Sequence, residues 1–177
     1  NRAWFYLAKV WYQRNYLDDA ASALASIRGA LPGDLEPERH LLEAQVLMYL
    51  NRFDEAIRAL ERWQPVGDHG DIWSSYARFN IGVAMVRQGK VEEAAELLNE
   101  VGQIAAPNEE AAALRDKANL ALGFAWLKAN RPDDAKKVLQ RVRLEGPLSN
   151  KALLAVGWAD SAEKRYTKAL APWLELR

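Results

Sequence analysis

One short phrase, met five times at near-even intervals, constrains this chain more than any bulk property. It consists of two polar residues followed by alanine: Tyr16-Leu17-Asp18-Asp19-Ala20, Arg52-Phe53-Asp54-Glu55-Ala56, Lys90-Val91-Glu92-Glu93-Ala94, Arg131-Pro132-Asp133-Asp134-Ala135 and Arg165-Tyr166-Thr167-Lys168-Ala169. The alanines lie 36, 38, 41 and 34 residues apart, a period typical of helical repeat arrays. Twelve positions before each alanine stands another small residue: Ala8, Ala44, Gly82, Gly123 and Gly157. Around these run apolar stripes of helical period, such as Trp4, Leu7, Ala8 and Trp11 in the first unit and Leu122, Gly123 and Trp126 in the fourth. The pattern predicts a first helix, a short turn and a second helix that opens on an acidic pair, where negative charge favours the positive end of the helix dipole. A small residue on the first helix is then expected to face a small residue on the second, so that the pair packs closely.

The same punctuation predicts ten helices, over 2–14, 17–29, 37–50, 53–63, 71–88, 91–105, 108–129, 132–143, 149–164 and 166–176. Gly29, Pro32, Gly33 and Pro37 separate the first two units, with Pro37 suited to a first helical position. Gly67-Asp68-His69-Gly70-Asp71 separates units two and three, Pro107-Asn108 units three and four, and Gly146-Pro147 with Ser149 units four and five. No strand pattern of period two appears. The fold class expected is all-α, a right-handed solenoid of five helix-turn-helix repeats over about 1–36, 37–70, 71–107, 108–147 and 148–177, forming one domain. The chain opens at Asn1 and closes at Arg177 inside helical patterns. This predicts further repeats in a longer protein, or a partner or second copy on the last helix, whose apolar residues are Ala169, Leu170, Trp173, Leu174 and Leu176.

Composition narrows the chemistry. Lys plus Arg is 24 and Asp plus Glu is 24, so the basic excess usual in nucleic-acid binders is missing. There is no cysteine, which excludes disulfides, thiolate catalysis and cysteine-held zinc. No apolar run reaches the ~20 residues a helix needs to cross a bilayer. The two histidines, His40 and His69, stand in no metal-ligand spacing and read as structural or surface residues. The acidic pairs Asp18-Asp19, Asp54-Glu55, Glu92-Glu93 and Asp133-Asp134 recur at one structural place, so they read as helix starts and not as acid–base dyads. Gly67 and Gly70 lack the strand and lysine of a phosphate loop. Lys136-Lys137 with Arg141 and Arg143 reads as a solvated helix end. No catalytic residue, metal or cofactor is expected.

The segment from Ala3 to Tyr12, followed by Asp18-Asp19-Ala20 and then Leu24, Ile27 and Pro32, resembles a tetratricopeptide repeat position by position. Units three and four are similar to the same motif, although Arg78 and Asn119 replace its opening aromatic. Unit two carries His40 and Glu43 at apolar positions of the motif, and unit five carries Asp160 where a large apolar residue belongs. The resemblance covers essentially the whole chain. It implies a protein-interaction scaffold or adaptor, not an enzyme, with a partner peptide or helix held in a groove lined by the first helix of each pair. Matching positions places Phe5, Lys9 and Tyr12, then Leu41, Gln45 and Tyr49, then Phe79, Asn80, Val83 and Arg87, then Lys117, Leu120, Phe124 and Lys128, then Trp158, on that inner face. Gln13, Met48, Tyr76, Leu127, Lys151 and Leu154 share it.

Two readings of these aromatics stay open. Helix-period aromatics are often core, or they form an apolar groove rimmed by Lys9, Arg87, Lys117, Lys128 and Lys151 that selects acidic partners. The carboxylate clamp of chaperone-binding members is incomplete here: Asn80 and Lys117 fall at two of its positions, but Leu41, Gln45 and Ala121 fill the others. The alternatives are a self-assembly module pairing through its terminal helices, or a regulatory domain of a larger protein. No nucleic-acid partner and no direct membrane insertion are expected. The texture of the repeats resembles bacterial envelope and assembly proteins of the same class, which implies a periplasmic or membrane-associated parent.

Overall fold

The computed structural model describes residues 1–33, 35–63 and 72–176. Among the described residues ten helices form: α1 (Arg2–Gln13), α2 (Leu17–Ala25), α3 (Leu35–Tyr49), α4 (Phe53–Arg62), α5 (Ile72–Arg87), α6 (Val91–Val101), α7 (Glu109–Lys128), α8 (Pro132–Leu139), α9 (Ser149–Ala162) and α10 (Tyr166–Leu174), with no strand among them. The expected separator Gly67–Asp71, His69 included, lies outside the described residues. No helix is long and apolar enough to cross a membrane among the described residues. The helices fall into two compact units, Asn1–Gln88 with α1 to α5 and Gly89–Arg177 with α6 to α10.

Inside each unit consecutive helices pack, and first helices also touch one another: α1 with α3 and α3 with α5 in unit 1, α7 with α9 in unit 2. The turn inside each hairpin is built alike. Asn15, Asn51, Asn130 and Lys164 adopt left-handed backbone, with φ of 62°, 59°, 58° and 56°. Around each, the helix closes with a six-to-one and a five-to-two hydrogen bond, for example Arg52 N–H to Leu47 O at 2.8 Å and Asn51 N–H to Met48 O at 3.1 Å. This closure satisfies the last carbonyls of the helix, and Asn tolerates its left-handed residue better than most. Gly89, at φ 83°, stands in the same register. The second helices then start without a side-chain cap. In the first four the acidic pair lies in the first turn, as expected, and Arg52 and Arg131 brace Glu55 and Asp134 at 2.6 and 2.7 Å.

The small residues that the repeat singles out are all buried, as are Ala20, Ala56, Ala94, Ala135 and Ala169. At Gly123 and Gly157 the nearest residue is a large one and not the small one expected. A Cβ on Gly123 would lie 2.4 Å from Leu139 Cγ and Cδ2, and one on Gly157 would lie 1.9 Å from Trp173 Nε1. In the fourth and fifth repeats the first-helix glycine thus receives the large residue one turn beyond the key alanine. Leu24, Leu60 and Leu98 stand at the same spacing and are 6%, 2% and 0% exposed. In the first repeat Ala8, Ala20 and Leu24 join Phe5, Leu42 and Val46 in one core.

Three second helices end earlier than the sequence suggests, at Ala25, Val101 and Leu139. Tight i→i−3 bonds close them: Ile27 N–H to Leu24 O, Ile104 N–H to Val101 O and Val142 N–H to Leu139 O. α3 starts at Leu35, so Pro37 is its third residue and not its first. Its missing N–H falls among the first-turn donors that lack a helical acceptor. Asn108 caps α7 through the Ala111 N–H at 2.9 Å, as its sequence position suggests.

Candidate functional site

The first-helix face of unit 1 carries two adjoining depressions. One, of about 260 Å³, is lined by Phe5, Lys9, Tyr12, Gln13, Glu38, Leu41, Leu42 and Gln45. The other, of about 290 Å³, is lined by Tyr12, Gln45, Met48, Tyr49, Val83 and Arg87. Phe5 is fully buried and Leu41 nearly so, so both belong to the floor and the core and not to an exposed rim. Tyr12 meets Tyr49 edge-on, with ring centroids 5.8 Å apart. Partial burial, then the neighbouring Tyr49 hydroxyl, pushes the Tyr12 phenol above its ordinary pKa. At physiological pH Tyr12 therefore stays neutral, offering a hydroxyl beside an apolar ring. Lys9 pairs with Glu38 across the depression at 2.9 Å and sits over the Phe5 ring. Phe79 and Val83 are half-buried, and Arg87 is exposed. Asn80 is buried and gives its amide to the Tyr76 carbonyl at 2.8 Å. It faces no ligand.

On unit 2 the first-helix face presents Lys117, Leu120, Phe124, Leu127 and Lys128 from α7 and Lys151, Leu154 and Trp158 from α9. Phe124 and Trp158 are 36% and 46% exposed, and their rings meet edge-on with centroids 6.3 Å apart. The aromatic question thus resolves residue by residue: Phe5 is core, whereas Tyr49, Phe124 and Trp158 are surface. Lys117, Lys128 and Lys151 are exposed, with no ion-pair partner among the described residues.

Three polar residues in apolar repeat positions turn out to be structural. Asp160, 1% exposed, accepts from Lys136 Nζ at 2.7 Å and from Arg165 Nε at 2.9 Å, and Arg165 reaches on to Asp133. Burial opposes its charge, but the Lys136 and Arg165 contacts prevail and hold its carboxyl below the usual range. So the fifth repeat packs through a buried carboxylate held by two part-exposed cations where an apolar side chain was expected. Asn119, fully buried, gives its amide to the Gly102 carbonyl at 2.8 Å and so completes the end of α6. His40 stacks on Trp63 with centroids 5.1 Å apart and meets Glu36 at 3.2 Å; burial and the adjacent Arg39 lower its pKa. Asp116 is likewise 1% exposed and tied to Arg143 Nε at 2.7 Å. These groups are consumed by the fold. Among the described residues no cluster of three or more His, Cys, Asp or Glu is placed to hold a metal.

A tetratricopeptide repeat model matches residues 41–110 and 120–176. The chain belongs to the tetratricopeptide repeat family. No curated protein matches. Among solved structures, the apo form of RapI superposes with a TM-score of 0.78 at 14% identity, over 98% of this chain and 68% of that one. MamA AMB-1 gives 0.67 at 19% identity, over 97% and 94% of the two chains. A MamA RS-1 double mutant gives 0.71 at 15% identity, over 98% and 90%. At these identities the likeness shows the fold, and function has to be read from the sites. Within the tetratricopeptide family frame, the exposed first-helix residues are the surface left over once the small-residue contacts have closed the hairpins. The carboxylate-clamp residues are incomplete in the sequence, with Leu41, Gln45 and Ala121 at three of the positions, and within unit 1 Leu41 and Asn80 are buried.

Proposed function

We propose that this chain is a protein-interaction scaffold that holds a peptide or helix of a partner against its first-helix faces and carries out no chemistry itself. The observation that supports it is the exposed aromatics on the first helices of each unit: Tyr49 at 59% in unit 1, and Phe124 at 36% and Trp158 at 46% in unit 2. Aromatic side chains of this kind dominate binding energy once a partner removes them from water. The test is affinity capture of partners with Tyr49→Ala and Phe124→Ala, one variant for each unit, with circular dichroism as the fold control. Loss of a captured protein from either variant supports the reading, and retention of every captured protein by both refutes it.

A second reading, self-association, is favoured by the outer helices. Tyr6 and Val10 on α1 are 52% and 40% exposed, whereas Ala155 and Ala159, in the same register on α9, are 0% exposed. Leu170 and Leu174 on α10 are 53% and 81% exposed. Trp173 does not belong to that outward set, because it lies against Gly157 and donates to the Leu154 carbonyl at 3.2 Å. Val10→Glu and Leu170→Glu are therefore the informative variants. Light scattering should show a multimer in the wild type and a monomer in either variant; a monomeric wild type ends this reading.

A further inference from the structure

The two first-helix faces differ in charge, and we propose that the face on unit 2 docks an acidic segment of a partner protein in which carboxylates flank an apolar anchor. This rests on the scaffold reading above and specifies the ligand for one of its surfaces.

The repeat register makes the difference legible. Six positions before the small residue stands Glu38 in α3, but Lys117 in α7 and Lys151 in α9. One position after it stands Gln45 in α3, but Phe124 in α7 and Trp158 in α9. Each rung of unit 2 therefore runs from a cation, past Leu120 or Leu154, to an exposed aromatic. Residues 117–128 and 151–158 contain no carboxylate. The acids next to them in sequence, Asp116 and Asp160, are 1% exposed and paired with Arg143, Lys136 and Arg165, and Glu110 lies two turns before Lys117 at the start of α7. Lys117, Lys128 and Lys151 are left with no ion-pair partner among the described residues. In unit 1, by contrast, Lys9 is held by Glu38 at 2.9 Å, so a carboxylate of the chain itself occupies that depression.

An uncompensated positive face around exposed aromatics calls for negative charge beside apolar surface. Lys117 and Lys128 are 11 residues apart on one helix, roughly 16 Å at 1.5 Å per residue. An extended peptide covers that span in about five residues at ~3.3 Å each. The fitting segment thus has an acidic residue, an apolar anchor two or three positions on, and a second acidic residue. Nucleic acid fits less well. The face is part leucine, its cations are lysines separated by apolar residues, and the chain has no net positive charge to recruit a polyanion.

The test is fluorescence anisotropy with the whole chain. The probes are three fluorescein-labelled peptides of the form Gly-X-X-Ser-Leu-Phe-Ser-X-X-Gly, with X as Glu, Gln or Lys, and a labelled ten-nucleotide oligo-dT. We expect the Glu peptide to bind roughly tenfold more tightly than the Gln peptide at low salt, with the advantage shrinking as salt screens it. Lys117→Glu with Lys151→Glu should remove that preference and transfer it to the Lys peptide. Lys137→Glu, on the exposed outer side of α8, should leave it within about twofold. Equal binding of Glu and Gln peptides, preference for oligo-dT, indifference to the reversal, or no binding by any probe overturns the assignment. The two readings fail separately: a captured partner lost on Phe124→Ala but unmoved by the lysine reversal keeps the scaffold reading and discards the acidic ligand.

Discussion

Replacing Gly123 with alanine adds one methyl group at a helix crossing where no room exists. The new Cβ would lie 2.4 Å from both Cγ and Cδ2 of Leu139, far inside van der Waals contact. Leu139 is 1% exposed, so it cannot swing into solvent. Helix propensity alone makes Gly→Ala favourable by about 1 kcal/mol. Overpacking opposes it by about 1–3 kcal/mol, and the upper half of that range applies because the Leu139 branch point itself must move. The net expectation is a loss of about 1–2 kcal/mol. Leu139→Ala costs about 2–5 kcal/mol alone, but it removes the obstructing atoms. In that background Gly123→Ala should return about 1 kcal/mol of stability, giving a coupling of about 2–3 kcal/mol. Urea unfolding of the four proteins, followed by tryptophan fluorescence, measures the cycle. Gly33, where an added Cβ would meet nothing within 4 Å, is the control site, and Gly33→Ala should lie within about 0.5 kcal/mol of wild type. A stabilising Gly123→Ala, or simple additivity in the cycle, would refute the close-crossing argument.

Further outcomes follow from other contacts. Lys164→Gly should raise stability by about 0.5–1 kcal/mol, because a left-handed lysine costs about 1–2 kcal/mol and glycine loses part of that gain in chain entropy; thermal unfolding reads it. Asp160→Asn should destabilise the chain by about 1–3 kcal/mol at neutral pH, since Lys136 and Arg165 lose their common carboxylate. The Asp160 pKa is depressed in the folded state, so its charge adds stability above the unfolded value near 3.9 that is lost as pH falls through the folded value. The gap between wild type and Asp160→Asn should therefore narrow in acid-unfolding curves below about pH 4. Glu36 is drawn to about 2, chiefly by its Arg39 hydrogen bond and also by the Leu31 N–H. Glu36→Gln should flatten the stability profile between about pH 4.5 and 2, measured by denaturant titration at stepped pH.

The helices are legible in the sequence because their signals are local. Acidic pairs, turn residues and apolar stripes place all ten; the ends of α2, α6 and α8 are the most overextended, where i→i−3 bonds tighten the chain, and those of α9 and α10 less so. The turn asparagines Asn15, Asn51 and Asn130 stand five before each key alanine, a signal present in the sequence and readable only with the left-handed closure in mind. Asp160 and Asn119 are not legible, because their partners, Lys136 on α8 and Gly102 at the end of α6, arrive from 24 and 17 residues away. Register alone puts the exposed aromatics on the correct helices. Whether each one is core or surface depends on packing: Phe5 sinks beneath Lys9, while Phe124 and Trp158 stay exposed and meet edge-on.

Nuclear Overhauser contacts at the two glycines probe the hairpin geometry with no substitution at all. The arrangement predicts cross-peaks from the Gly123 α-protons to the Leu139 methyls and from the Gly157 α-protons to the Trp173 indole N–H. Their absence, or strong peaks to the Ala135 and Ala169 methyls in their place, would contradict the way these helices are joined.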